Sequence, residues 1–101
     1  MKIEFLATSE DGLRWMLKYY DRIFTSGRKN GLKKYKEAKT LLRENPLSGH
    51  EFDEIEGVRE LKIPKTPFSI IYTLRDDIIY VIDIRDQRGI RSVGGLERFN
   101  R

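Results

Sequence analysis

The segment from Gly57 to Arg91, GVRELKIPKTPFSIIYTLRDDIIYVIDIRDQRGIR, limits the fold more than any other part of the chain. Three β-rich runs follow one another through two tight turns, which is the pattern of a three-stranded antiparallel meander. Val58 to Pro64 is the first run. The turn Pro64-Lys65-Thr66-Pro67 ends it, because proline offers no N–H to a ladder and presets φ for a turn. Phe68 to Leu74 is the second run, Arg75-Asp76-Asp77 is a short polar hairpin connection, and Ile78 to Arg85 is the third run. Strict alternation places Phe68, Ile70, Tyr72 and Leu74 on one face and Ser69, Ile71 and Thr73 on the other. In the last strand it sets Tyr80, Ile82 and Ile84 against Ile79, Val81, Asp83 and Arg85. One face is then free to pack on an apolar layer. The other, with Ser69, Thr73, Asp83, Arg85, Glu60 and Lys62, is expected to be a mixed polar surface.

What precedes the meander supplies that layer. Lys2 to Leu6 reads as a short strand, with Ile3 and Phe5 on one side. Ser9 is the expected N-cap of a helix from about Glu10 to Phe24, with acids suited to its positive end. Leu13, Met16, Leu17, Tyr20 and Phe24 recur at helical spacing, and Thr25-Ser26-Gly27 stops the run. A second helix, about Asn30 to Asn45, carries Tyr35, Ala38, Leu41 and Leu42. Pro46 to Gly57 shows no periodicity and reads as a loop. The expected organisation is one domain over residues 1–101: strand 1–7, helical hairpin 9–45, loop 46–57, meander 58–85 and a glycine-containing tail 86–101. Segregated helices beside a meander imply an α+β fold, β-α-α-β-β-β, with the helical hairpin packed on one face of a twisted, mainly antiparallel sheet.

Composition narrows the chemistry. With no cysteine and one histidine, thiol nucleophiles, disulfides, thiolate zinc sites and multi-histidine metal centres drop out, so no metal and no cofactor are expected. No apolar run is long enough to cross a bilayer and the N-terminus does not read as a signal peptide, so a soluble, cytoplasmic protein without a membrane partner is expected. His50 lies in a polar loop with no nucleophile beside it and reads as an exposed structural histidine, and Asp76-Asp77 as turn formers rather than a metal pair. The formal charge of +4 is unevenly spread. Arg28 to Arg43 holds seven basic residues and one acid, with Lys29, Lys33, Lys36 and Arg43 along one side of the second helix, which is either a phosphate-binding stripe or a solvated face. The segment Arg85 to Arg101 holds five arginines and two acids.

Asn45-Pro46-Leu47-Ser48-Gly49, Val58-Arg59-Glu60-Leu61-Lys62-Ile63, Phe68-Ser69-Ile70-Ile71-Tyr72 and Ile84-Arg85-Asp86-Gln87-Arg88, in this order and spacing, resemble the RelE/ParE toxin superfamily of type II toxin–antitoxin systems. The resemblance implies a toxin held in check by a cognate antitoxin. It offers two mechanisms. The RelE-like branch cleaves mRNA on the ribosome with cations of the sheet and a tyrosine near the C-terminus; Lys62, Arg85 and Arg88 would carry that role here. This chain departs from the pattern: a family lysine falls on Glu60, a strand arginine on Ser69, and after Tyr80 the only aromatic is Phe99, which cannot exchange a proton. Losing one preorganised donor to a transition state typically costs about 100-fold or more in rate. The resemblance therefore points to the ParE-like branch, a non-hydrolytic poison of DNA gyrase, with Arg85, Arg88, Arg91 and Arg98 as candidate target contacts. A third alternative is a non-toxic binding module with the same fold. Trp15 and Tyr19 lie four residues apart, roughly opposite the apolar stripe of the first helix. They either pack against neighbouring elements or dock an amphipathic antitoxin segment.

Overall fold

The computed structural model describes residues 2–23, 27–52 and 55–86. Its elements are β1 (Lys2–Phe5), α1 (Ala7–Ile23), α2 (Gly27–Glu44), β2 (His50–Glu51), β3 (Val58–Lys62), β4 (Phe68–Arg75) and β5 (Ile78–Asp86). They form the expected α+β arrangement, two helices on a five-stranded sheet of order β1-β5-β4-β3-β2. The meander β3-β4-β5 is antiparallel throughout, and β1 joins β5 in parallel, from Lys2 opposite Ile78 to Phe5 opposite Val81. β2 is an addition to the sequence reading. Two residues of the expected loop pair with β3, His50 opposite Glu60 and Glu51 opposite Arg59, too short a run for alternation to register.

The main core lies between the sheet and the helices. Phe68, Ile70 and Tyr72 of β4 and Ile79, Val81 and Ile84 of β5 pack with Met16 of α1 and Tyr35, Ala38 and Leu42 of α2. Leu41, placed in this stripe by spacing, is 44% exposed instead. Strict alternation fails in β5. A register shift opposite Ile71/Tyr72 leaves Ile82 as an extra residue, a β-bulge that reverses the phase. Ile79, Val81 and Ile84 therefore face the helices, while Ile82 joins Phe52, Val58 and Ile71 in a second cluster flanked by Leu6 and Ile55. The expected polar surface is thus partly a small apolar core under the segment that leads into β3. Thr73 is buried there too, donating from its hydroxyl to the Gly57 carbonyl at 2.7 Å.

The bulge also explains where α1 begins. The Leu6 N–H donates to the Val81 carbonyl at 2.9 Å, and the Thr8 hydroxyl donates to the Ile82 carbonyl that the bulge leaves out of the ladder. The chain is anchored at this point, so the helix starts at Ala7. Ser9 is then not a cap. It sits inside the first turn, with its N–H and hydroxyl both on the Leu6 carbonyl at 2.9 and 2.7 Å. Gly12 lets this turn rest on β5: a Cβ there would lie 2.6 Å from Asp83 Oδ1 and 2.9 Å from the Ile84 backbone nitrogen.

Candidate functional site

The sheet face away from the helices carries a polar cluster centred on Glu60. Register brings it together: His50 lies opposite Glu60 across β2 and β3, while Lys62, Ser69 and Arg85 form a row across β3, β4 and β5. The Glu60 side chain is only 7% exposed. A buried carboxylate is costly unless its lone pairs and charge are matched, and here three groups match them. The Ser69 hydroxyl donates to Oε2 at 2.5 Å, Arg85 Nη1 approaches the same oxygen at 3.3 Å, and His50 Nε2 stands 3.2 Å from Oε1. Arg85 also lies over the Phe52 ring, 5.3 Å from its centroid, a cation–π contact. His50 is therefore a partner of Glu60 and not an isolated loop residue. The sequence contains both residues, but their meeting depends on the two-residue strand β2, which leaves no periodic trace.

The arrangement has a definite chemical character. Arg85 shares its charge with Glu60 and Ser69 donates to the same oxygen, so the middle of the face is internally neutralised. Lys62 is exposed at one end of the row, two strands from Arg85. Arg88, Arg91 and Arg98 lie outside the described residues, as does Phe99. Among the described residues no three histidine, cysteine or acidic side chains gather in a way that would hold a metal, and no helix is long and apolar enough to cross a membrane.

The pair expected on α1 is divided. Tyr19 packs edge-on against Phe68, with ring centroids 5.3 Å apart and planes at 70°, and belongs to the main core. It lies three residues beyond Met16 and so shares its face rather than opposing it. Trp15 stays 37% exposed. Among the described residues it is one of four large apolar side chains at the surface, with Phe5, Leu41 and Leu47. The side chains of Tyr20 and Phe24 lie outside the described residues.

The motif residues of the loop also converge, in a structural role. The Tyr72 hydroxyl donates to the Pro46 carbonyl at 2.8 Å and accepts the Gly49 N–H at 3.0 Å, while Arg59 Nη2 donates to the Gly49 carbonyl at 2.8 Å. A Cβ on Gly49 would stand 2.6 Å from the Tyr72 hydroxyl oxygen and 2.7 Å from the Glu60 carbonyl oxygen, so only glycine fits. This knot fixes the segment that delivers His50 to Glu60.

Comparison with known proteins follows the same lines. The family model described as the ParE toxin of the type II toxin–antitoxin system parDE matches residues 5–91. No curated protein matches significantly. Among solved structures, the chromosomal ParDE toxin–antitoxin system from P. aeruginosa superposes with a TM-score of 0.67 at 20% identity, covering 85% of this chain and 95% of that one. The E. coli DinJ–YafQ complex superposes with a TM-score of 0.63 at 18% identity, covering 90% of this chain and 98% of that one. At such identities the likeness is one of fold.

Proposed function

The chain belongs to the ParE toxin family of type II toxin–antitoxin systems, and from that membership we propose that it is a cytoplasmic toxin that poisons DNA gyrase by binding and is silenced by a cognate antitoxin. Arg85, Arg88, Arg91 and Arg98 are the proposed target contacts, and Trp15 the proposed antitoxin contact. The observation that carries binding over cleavage is the buried Glu60 carboxylate at the centre of the sheet face, already ion-paired to Arg85 and hydrogen-bonded by Ser69. Cleavage of a phosphodiester needs preorganised cations facing the developing charge. A carboxylate among them repels the phosphate and takes up part of the positive field. Binding has no such requirement, since charge-assisted arginine contacts to a partner's carboxylate or carbonyl need no array of cations gathered around one phosphate.

The test is expression without antitoxin followed by two assays. Gyrase supercoiling is expected to be inhibited by the purified protein, with inhibition relieved by antitoxin. Charge reversal of Arg85 and Arg88 should abolish inhibition, since it replaces charge-assisted contacts of roughly 2 kcal/mol with repulsion. Because Arg85 also partners Glu60, the Arg88 reversal alone separates lost contact from lost fold. Codon-phased mRNA cuts on the ribosome that vanish in Lys62→Ala, with gyrase unaffected, would instead make the protein a RelE-like endonuclease.

A further inference from the structure

The gyrase reading leaves the most concentrated charge in the molecule without a role. Along α2, Lys29, Lys33, Lys36, Thr40 and Arg43 follow one another at steps of four, three, four and three residues, the spacing of a single helix face. At 1.5 Å per residue this ridge is about 21 Å long. Lys29, Lys33, Lys36 and Arg43 are exposed, and among the described residues none of them has an ion-pair partner. A groove runs beside the ridge, lined by Lys29, Lys33 and Lys36 with Asn30, Thr40 and Leu32, and Glu37 is its one acid. The first turn of α2 holds no acidic residue, so the partial positive charge of the helix start adds to the lysines instead of being cancelled.

We propose that this ridge holds the phosphate backbone of duplex DNA without reading its sequence. An acidic protein segment is the competing occupant, and the lining argues against it. Protein segments dock through buried aromatic or aliphatic anchors in apolar pockets, and the groove offers only Leu32, already packed against the core. A phosphate backbone requires what is present: a row of flexible point charges and neutral hydrogen-bond donors. Lysine instead of arginine suits contacts that carry charge without bidentate geometry. Duplex DNA presents one negative charge per roughly 1.7 Å of axis, so the ridge spans about a dozen phosphates. The ridge belongs to α2 and Arg85 to β5, so a DNA contact here is distinct from the target contact proposed at Arg85.

The test is a fluorescence-anisotropy titration of the full chain against a mixed-sequence duplex of about 20 base pairs, over a range of salt and with no gyrase present. The triple variant Lys29→Gln, Lys33→Gln, Lys36→Gln is compared with Lys2→Gln, Lys18→Gln, Lys65→Gln, which removes the same charge elsewhere. The plot of log affinity against log salt is expected to lose about 3 of its slope in the α2 triple and less than about 1 in the control. The Lys→Arg triple at the same three α2 positions should keep the wild-type slope. Equal losses in both glutamine triples, or no binding by the wild type, would overturn the proposal. So would competition by polyglutamate as effective as by DNA of equal charge, which would assign the groove to an acidic protein segment. Because gyrase is absent, failure here leaves the gyrase reading standing, and failure of the gyrase assay leaves this one.

Discussion

Two buried tyrosines show how differently one hydroxyl can contribute. Tyr72 is fully buried, and its hydroxyl serves both the Pro46 carbonyl and the Gly49 N–H. Tyr72→Phe keeps the ring and strands both partners, so a loss of about 1 to 3 kcal/mol is expected. Tyr72→Ala adds the cavity and should cost roughly 3 to 5 kcal/mol. Urea denaturation of both variants checks the order; no loss in Tyr72→Phe would show that the knot around Gly49 contributes nothing, and equal losses that the ring adds nothing beyond its hydroxyl. Tyr35, on α2, has its phenol pushed up to about 12 by burial. The unfolded chain releases that proton near pH 10, and the folded chain retains it. Folding then becomes less favourable as pH rises from about 10 to about 12, by roughly 2 kcal/mol, and the contribution is intact below pH 10. Tyr35→Phe should flatten this alkaline limb. Denaturation curves at pH 9 and pH 11 measure it, and an unchanged difference between variant and wild type would place the phenol in contact with water.

At the scale of elements, the junction of α1 with β5 governs the fold. Gly12→Ala should raise the intrinsic helix propensity of α1 by about 1 kcal/mol, but the new methyl would stand 2.6 Å from Asp83 Oδ1 and 2.9 Å from both Ile84 Cβ and its backbone nitrogen. Overpacking against a backbone typically costs about 1 to 3 kcal/mol, so net destabilisation is expected, read as a lower thermal midpoint. A stabilised variant would mean that the helix lifts from the strand at no cost. This junction also marks where sequence reasoning stopped. The meander, both helices and the apolar face of β4 are legible because each repeats a period over several residues. The β5 bulge is not, because one extra residue leaves no local signature and inverts every face assignment between Ile78 and Ile82. The start of α1 was obscured for a related reason: Ser9 looks like a cap locally, while a tertiary hydrogen bond from Thr8 decides the matter. Of the polar cluster, Glu60, Ser69 and Arg85 are legible as one face, whereas His50 enters it through pairing too short to be periodic.

Across the whole molecule, α1 carries both the proposed antitoxin contact, Trp15, and a ring packed against the core, Tyr19. Trp15→Ala is expected to weaken antitoxin binding by about 2 kcal/mol with little change in thermal midpoint, while Tyr19→Ala should lower the midpoint, since its ring packs edge-on against Phe68. Calorimetric titration with the antitoxin and a melting curve for each variant decide it; unchanged affinity in Trp15→Ala would move the docking surface elsewhere. The parallel pairing of β1 with β5 has a consequence in time. Lys2 meets Ile78, so the first strand made waits for the last before it has a neighbour. A chain growing at roughly 5 to 20 residues per second therefore spends several seconds with its sheet open. Contacts of such wide sequence separation close late. A nascent chain is therefore unable to present the finished face to any target, and a product truncated before Ile78 is expected to be harmless. The interval between synthesis and toxicity gives an antitoxin already present in the cell the first encounter.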